Sequence, residues 1–274
     1  MRGLCFLLWV PLLPLGCGGG AGPSGPILSP AQRPPGAAAP APSEGASTVL
    51  DAPVSFSVVG GSIQDDPAID ALVAPFRARL GEEIQQVIGE TTGVLSKAVP
   101  EGTLGNFATD ALLWSANANA SEPVQMALTN NGGLRVPIGP GAITVGQMYE
   151  LMPFENMLTV LVLTGSQVQL LCDQLAGMRG EPIAGFSFRI EAEGDLRVAR
   201  DILVGGVPLN PDAQYRLATN DYLANGGGTL TPLHSPVARE DLPVLIRDAF
   251  IDYVRYLGVI EPRLEGRITG GIGR

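Results

Sequence analysis

From Gly18 to about Ala52 the chain is built of Gly, Ala, Pro and Ser, with almost no large apolar side chain. Such a segment buries too little surface to offset the entropy lost on ordering. Residues 17–52 therefore read as a disordered, partly extended tether, and any core is confined to residues 53–274. With 45% apolar and 16% charged residues overall, that stretch is read as one globular domain. The net charge of -10 and pI of about 4.6 argue against a nucleic-acid partner, because phosphate binding needs a basic face.

The N-terminus has the pattern of a targeting segment. Arg2 is the only charge before the apolar run Leu4–Leu15, which is too short to span a bilayer as a helix. Gly16-Cys17-Gly18 follows. This resembles a bacterial lipoprotein signal, with residues 1–16 as signal peptide and Cys17 as the lipidated first residue of the mature chain. An ordinary secretory signal or an uncleaved anchor are the alternatives. A Cys closing a short apolar run favours the lipoprotein reading, which places the protein in a bacterial cell envelope, held to a membrane leaflet by acyl chains. Of the other cysteines, Cys5 would leave with the signal. Cys172 lies in an apolar helical run, Val168–Leu175, and reads as a small buried residue rather than a nucleophile.

Periodicity then gives a coarse map of elements. Val54–Val58 alternates as a strand. Asp66-Pro67 supplies an N-cap and a first-turn proline, and Ile69, Leu72, Val73, Phe76 and Leu80 follow at helical spacing, with a kink or break expected at Pro75. Ile84–Ile88 fits either more helix or a short strand. Leu104–Ala116 reads as a helix with Leu104, Phe107, Ala111 and Leu112 on one face, and Val124–Leu128 as a buried strand. Thr144 and Gln147 have capping-box spacing ahead of a short helix to about Leu151. Leu158–Leu163 is a β-branched strand, followed by a helix whose capping box is expected from Ser166 and Gln169. Strands are expected at Phe186–Ile190 and Tyr215–Ala218, a hairpin at Arg197–Leu209 around Gly205-Gly206, and a last helix from about Leu242 to Leu257. Helices and short strands mix without a strict βαβ repeat, which predicts an α+β fold with a mixed β-sheet packed against helices.

Polar, Asn- and Gly-rich loops punctuate these elements: Gly105-Asn106 at a helix start, Asn130-Asn131-Gly132-Gly133-Leu134-Arg135, Pro153-Phe154 before a strand, and Asn220-Asp221-Tyr222 through Gly228. Loops mounted on regular elements are where binding sites usually sit. In order and spacing, and with the closing Glu265-Gly266-Arg267-Ile268, they resemble the C-terminal domain of the 5'-nucleotidase family over roughly residues 54–270. Four motifs in sequence are far more specific than any one alone.

The resemblance implies a nucleoside or nucleotide ligand, with Phe154 and Tyr222 sandwiching the base, each stack being worth on the order of 1–3 kcal/mol. It implies Asn130 on the base edge, Arg135 at the ribose or α-phosphate, and Gly132 and Gly133 between them as further ligand-binding residues. Plain structural roles account for the same residues: Phe154 as a core ring, Asn130 and Asn131 as turn formers, Arg135 as a solvated cation. Tyr222 keeps the ring and adds a hydroxyl. Two positions depart from the family pattern. Gly228 stands where a ribose-binding carboxylate is expected, and Ala98 where an arginine is, with Lys97, the chain's single lysine, beside it. A lysine does not reproduce the bidentate fork of a guanidinium.

Family enzymes also carry a metallophosphoesterase domain with two divalent metals, whose ligands activate water and clamp the phosphate. This chain has one histidine, His234, which reads as an exposed loop residue. One imidazole supplies no such site, so neither a catalytic residue nor a cofactor is assigned to this chain. Three functions follow as expectations: a binding module for a nucleoside or nucleotide; a specificity part serving a separate metallophosphoesterase chain; or a structural lipoprotein that kept the fold and lost the ligand.

Overall fold

The computed structural model describes residues 66–271. The signal segment, the tether and the strand expected at Val54–Val58 lie outside them.

The elements run in the order α1 (Pro67–Ile84), β1 (Val87–Thr91), α2 (Thr103–Asn119), β2 (Met126–Leu128), β3 (Gly141–Thr144), α3 (Val145–Leu151), β4 (Met157–Thr164), α4 (Gly165–Gly177), β5 (Ile183–Ala184), β6 (Phe186–Glu193), β7 (Leu196–Val204), β8 (Val207–Pro208), β9 (Gln214–Asn220), α5 (Asp221–Ala224), a 3-10 turn (Thr231–His234), β10 (Ala238–Leu245), α6 (Ile246–Leu257), β11 (Val259–Ile260) and β12 (Ile268–Gly270). The fold is α+β with mixed sheets, as the sequence implies. The central sheet has the order β10-β4-β9-β2-β5. Only its β2–β9 pair is parallel. A four-stranded sheet, β12-β6-β7-β8, and a small one, β11-β1-β3, flank it.

Alternation along the central strands shows why both of its faces are covered. Leu158 and Val160 of β4 join one core with Ala127 and Ala218, beneath Leu104, Ala108, Ala111 and Leu112 of α2 and Phe250 of α6. Leu161 and Leu163 join the other, with Met126, Leu128 and Leu217, beneath Val168, Leu171 and Leu175 of α4. Successive side chains of a strand point to opposite faces. A strand buried on both therefore reads as the unbroken apolar run seen at Leu158–Leu163 rather than as an alternating one. Cys172 sits in the second core as a free, buried thiol, and burial pushes its pKa up. That matches a packing role and leaves no thiolate for nucleophilic chemistry.

Four expectations need correction or resolution. Asp66 caps α1 as expected, accepting from the N–H groups of Ala68 and Ile69, and of the kink or break expected at Pro75 the break does not occur, the helix running on to Ile84. Its apolar positions Ile69, Leu72 and Phe76 face solvent, while in its last turn Ile84 lies over Gly146 of α3. The ambiguous Ile84–Ile88 stretch divides, ending α1 and opening β1.

The capping box of α4 uses Thr164 and Gln167, not Ser166 and Gln169: Thr164 Oγ1 accepts from Gln167 N at 3.2 Å and Gln167 Oε1 accepts from Thr164 N at 2.9 Å. Strand β4 runs to Thr164, which makes that residue the last extended one and so the cap. The last helix starts at Ile246. Residues 238–245 instead pair with β4, Ala238 opposite Val162 through Leu245 opposite Met157. Pro243 is tolerated there because β10 is an edge strand with a register shift between Asp241 and Leu245. The β7–β8 hairpin forms as expected, with Gly205 and Gly206 both at positive φ (59° and 80°), the conformation a two-residue turn requires.

Glu101 ties the C-terminal segment down. Its carboxylate accepts from Asn106 Nδ2 (2.6 Å), Glu265 N (2.7 Å) and Arg267 N (3.0 Å). The Arg267 side chain, nearly buried, spreads over Asp110, Glu265, Thr109 and the Ile183 carbonyl.

Candidate functional site

Sheet order brings three separated loops to one place. Strands β2 and β9 are parallel, so their C-terminal ends share an edge of the sheet. Strand β4 is antiparallel to β9, with Leu158 opposite Asn220, so its N-terminal end comes to that same edge. The Asn130–Arg135 loop after β2, the Pro153–Asn156 turn before β4 and the Asn220–Tyr222 corner after β9 therefore converge. They enclose a cleft of about 320 Å³ lined by Asn130, Gly132, Gly133, Arg135, Met152, Phe154, Asn156, Asn220 and Tyr222.

All six residues singled out from the sequence as ligand-binding line this one cleft. Phe154 is 43% exposed and Tyr222 51% exposed, so Phe154 is not a core ring. The Arg135 guanidinium carbon stands 5.8 Å from the Phe154 ring centroid, within cation–π range, and its Nη1 donates to the Gly132 carbonyl at 3.1 Å. The departures noted in the sequence lie apart: neither Gly228 nor Ala98 is among the lining residues, and Ala98 instead borders a small cavity with Glu101 and Glu181.

Asn220 organises the polar wall. It is buried, its Oδ1 accepts from Leu223 N at 2.8 Å to cap α5, and its Nδ2 donates to Thr129 Oγ1 (3.1 Å) and Asn130 Oδ1 (3.2 Å). That last bond occupies the Asn130 oxygen, while Asn130 Nδ2 has no hydrogen-bond partner among the described residues and remains available as a donor. The loop is fixed from behind. Glu181 Oε2 accepts from Asn131 N at 2.6 Å, and Lys97 Nζ donates to the Leu134 carbonyl at 2.8 Å and the Asn131 carbonyl at 3.4 Å. Lys97 thus braces the loop and does not line the cleft. Burial pushes the Glu181 carboxyl up, partly offset by the N–H of Asn131.

Met152, Asn156 and Asn220 line the cleft without having been assigned to it from the sequence. Asn220 opens one of the sequence motifs, and Met152 and Asn156 flank Pro153-Phe154; the missing signal was that the end of one strand faces the start of another. Asp221, beside Asn220, is engaged by Asn156 Nδ2 at 2.9 Å. The donor set does not fit a two-metal centre. His234 is exposed at the end of the 3-10 turn, and no group of three His, Cys, Asp or Glu side chains comes together among the described residues.

Tyr222 owes its position to Gly227. The ring lies against that residue so closely that a Cβ there would fall 2.4–2.5 Å from Cε2, Cδ2 and Cζ, and Gly227 N donates to the Tyr222 carbonyl at 2.8 Å. Because the ring is half exposed it has room to swing away. Gly227→Ala is therefore expected to cost no more than about 1 kcal/mol in a urea titration, while a crystal structure shows the Tyr222 ring displaced. An unmoved ring would contradict this packing.

Comparison with known proteins agrees with this architecture. Residues 87–234 match the family model described as 5'-nucleotidase, C-terminal domain. The chain is 32% identical over 181 residues to the trifunctional nucleotide phosphoesterase protein YfkN of Bacillus subtilis, covering 61% of this chain and 12% of that one. It is 30% identical over 207 residues to the cell wall protein Lmo0130 of Listeria monocytogenes, covering 65% and 25%. Among solved structures, a 5'-nucleotidase precursor from Thermus thermophilus superposes with a TM-score of 0.66 at 33% identity, over 76% of this chain and 43% of that one. The NAD nucleotidase of Haemophilus influenzae shares the fold, with a TM-score of 0.60 at 18% identity. The chain thus spans less than half the length of these relatives. With residues 87–234 matching the family model and its four loop motifs in order, three of them at one sheet edge, this chain belongs to the 5'-nucleotidase C-terminal domain family.

Proposed function

We propose that the cleft binds a nucleoside or nucleotide, with the base held between Phe154 and Tyr222. The observation that carries this reading is that residues from three separated loops, two half-exposed rings among them, line one 320 Å³ space. A flat base offers two π faces to such rings. The free Asn130 amide donates to an acceptor on the base edge, and Arg135 leaves the Phe154 ring to meet ribose or α-phosphate. Isothermal titration with adenosine and AMP tests this. Binding is expected, and Phe154→Ala and Tyr222→Ala should each weaken it at least about fivefold, the lower end for one lost stack. No heat at millimolar ligand would sink the proposal.

A second reading makes the cleft the specificity part of a nucleotide hydrolase whose metal centre lies outside these residues, on a separate metallophosphoesterase chain or domain. It is favoured by relatives named for nucleotide hydrolysis that extend well beyond the matched region. The purified chain with AMP and divalent metal is then expected to release no phosphate; release above a protein-free control would overturn both this reading and the assignment of no catalytic residue.

We further infer an envelope lipoprotein anchored at Cys17, supported by the short apolar run ahead of it and by a relative named as a cell wall protein. No helix among the described residues is long and apolar enough to cross a membrane. Labelled palmitate should enter the full chain expressed in a bacterial host and be lost in Cys17→Ser. Equal labelling of both would rule the anchor out.

A further inference from the structure

A second cavity, of about 330 Å³, opens between α2, the end of α6 and the segment 259–265. It shares no lining residue with the cleft. One side is apolar and aromatic, formed by Leu95, Phe107, Leu257 and the ring of Tyr253. The Phe107 and Tyr253 rings lie 6.1 Å apart, tilted by 35°. The other side is polar, carrying Asn106, Asp110 and Glu265.

The hydrogen-bonding capacity left over on that side is almost entirely of one kind. Asn106 is only 6% exposed; its Nδ2 is taken by Glu101 and the Arg263 carbonyl, and its Oδ1 has no partner among the described residues. Asp110 accepts from Arg267 through Oδ2, leaving Oδ1 without one. Glu265 receives both of its Arg267 bonds at Oε2, leaving Oε1. Three carbonyl or carboxylate oxygens therefore have spare lone pairs beside an aromatic wall. Of the lining side-chain donors, Thr103 Oγ1 is spent on the Val94 carbonyl and Arg263, on the exposed rim, is paired with Glu261, which leaves the Tyr253 hydroxyl among the described residues. Burial also holds the Asp110 carboxyl above its usual range, despite the pull of Arg267, as expected of an acceptor with incomplete hydration.

A site of acceptors with an aromatic wall suits a ligand that brings its own N–H donors and a positive charge, together with an apolar body to fill the greasy side. From this geometry we propose that the cavity is a second ligand site, for a small organic ammonium such as an aralkylamine. The ammonium donates to Asp110 Oδ1, Glu265 Oε1 and Asn106 Oδ1, and the hydrocarbon part packs on Phe107, Tyr253 and Leu257. An uncharged isostere gains the apolar contact alone. An anion meets three lining carboxylates, Asp110, Glu261 and Glu265, against two arginines, Arg263 on the rim and Arg267 behind Asp110 and Glu265.

The test is titration calorimetry of the full chain with phenethylamine and, as the neutral isostere, 2-phenylethanol. The amine is expected to bind about tenfold more tightly than the alcohol, the size of one desolvated cation–π and charged hydrogen-bond contribution. Asp110→Asn should remove most of that preference. Because this change also loosens Arg267, Leu257→Trp provides an independent arm: Leu257 is partly exposed, so a larger ring fits without disturbing the core, and it should block both ligands while the far-UV circular dichroism is unchanged. Equal affinity for amine and alcohol, or amine binding untouched by Leu257→Trp, would overturn the proposal.

Discussion

The cleft depends on a single buried carboxamide. Asn220 closes β9, begins α5 and reaches across to the residues that follow β2. Each of its three hydrogen bonds contributes only about 0.5–1.5 kcal/mol net, yet a partner left unsatisfied in this dry position costs more than the bond gains. One side chain therefore fixes where the helix of Tyr222 starts and which way Asn130 presents its amide. The arrangement needs no unusual backbone. It follows from strand order, because a strand lying between an antiparallel and a parallel neighbour gathers the ends of all three.

Rigidity comes from outside the cleft. Asn131 is held by Glu181, and the carbonyls on either side of Gly132-Gly133 by Lys97, so a glycine-rich loop that would otherwise be mobile is braced before any ligand arrives. Binding to an ordered loop avoids an entropic cost of about 0.5–1.5 kcal/mol for each side chain that would otherwise be immobilised. Glu101 does the corresponding work for the chain end, drawing two backbone N–H groups and Asn106 onto one carboxylate. Charged side chains of this domain thus serve to position the backbone.

Much of this was legible in the sequence, and the parts that were not have physical reasons. Period-2 and period-3.6 patterns located β6, α2 and α4, and an unbroken β-branched apolar run located β4, where burial on defined faces leaves a strong imprint. They mistook Leu242–Leu245 for helix because an apolar strand that runs straight into an apolar helix carries no punctuation, and Pro243 is permitted at a sheet edge. They placed the α4 cap two residues late because two overlapping polar pairs offer the same spacing, and only the length of β4 selects between them. The face of α1 misled because helical spacing reports that apolar residues align, not that anything covers them. At the cleft, motif order identified Asn130, Arg135, Phe154 and Tyr222; Met152, Asn156 and Asn220 became visible only through strand register, which one-dimensional spacing does not encode.

The engagement of Lys97 has a practical corollary. It is the only lysine in the chain, and its ammonium is bonded to two carbonyls of the Asn130 loop. A reagent that acylates amines, or a surface that captures proteins through them, finds one side chain to modify. That modification would strip the brace from the loop and add bulk behind it. Immobilisation chemistry, usually chosen for convenience, would here act on the geometry it is meant to report.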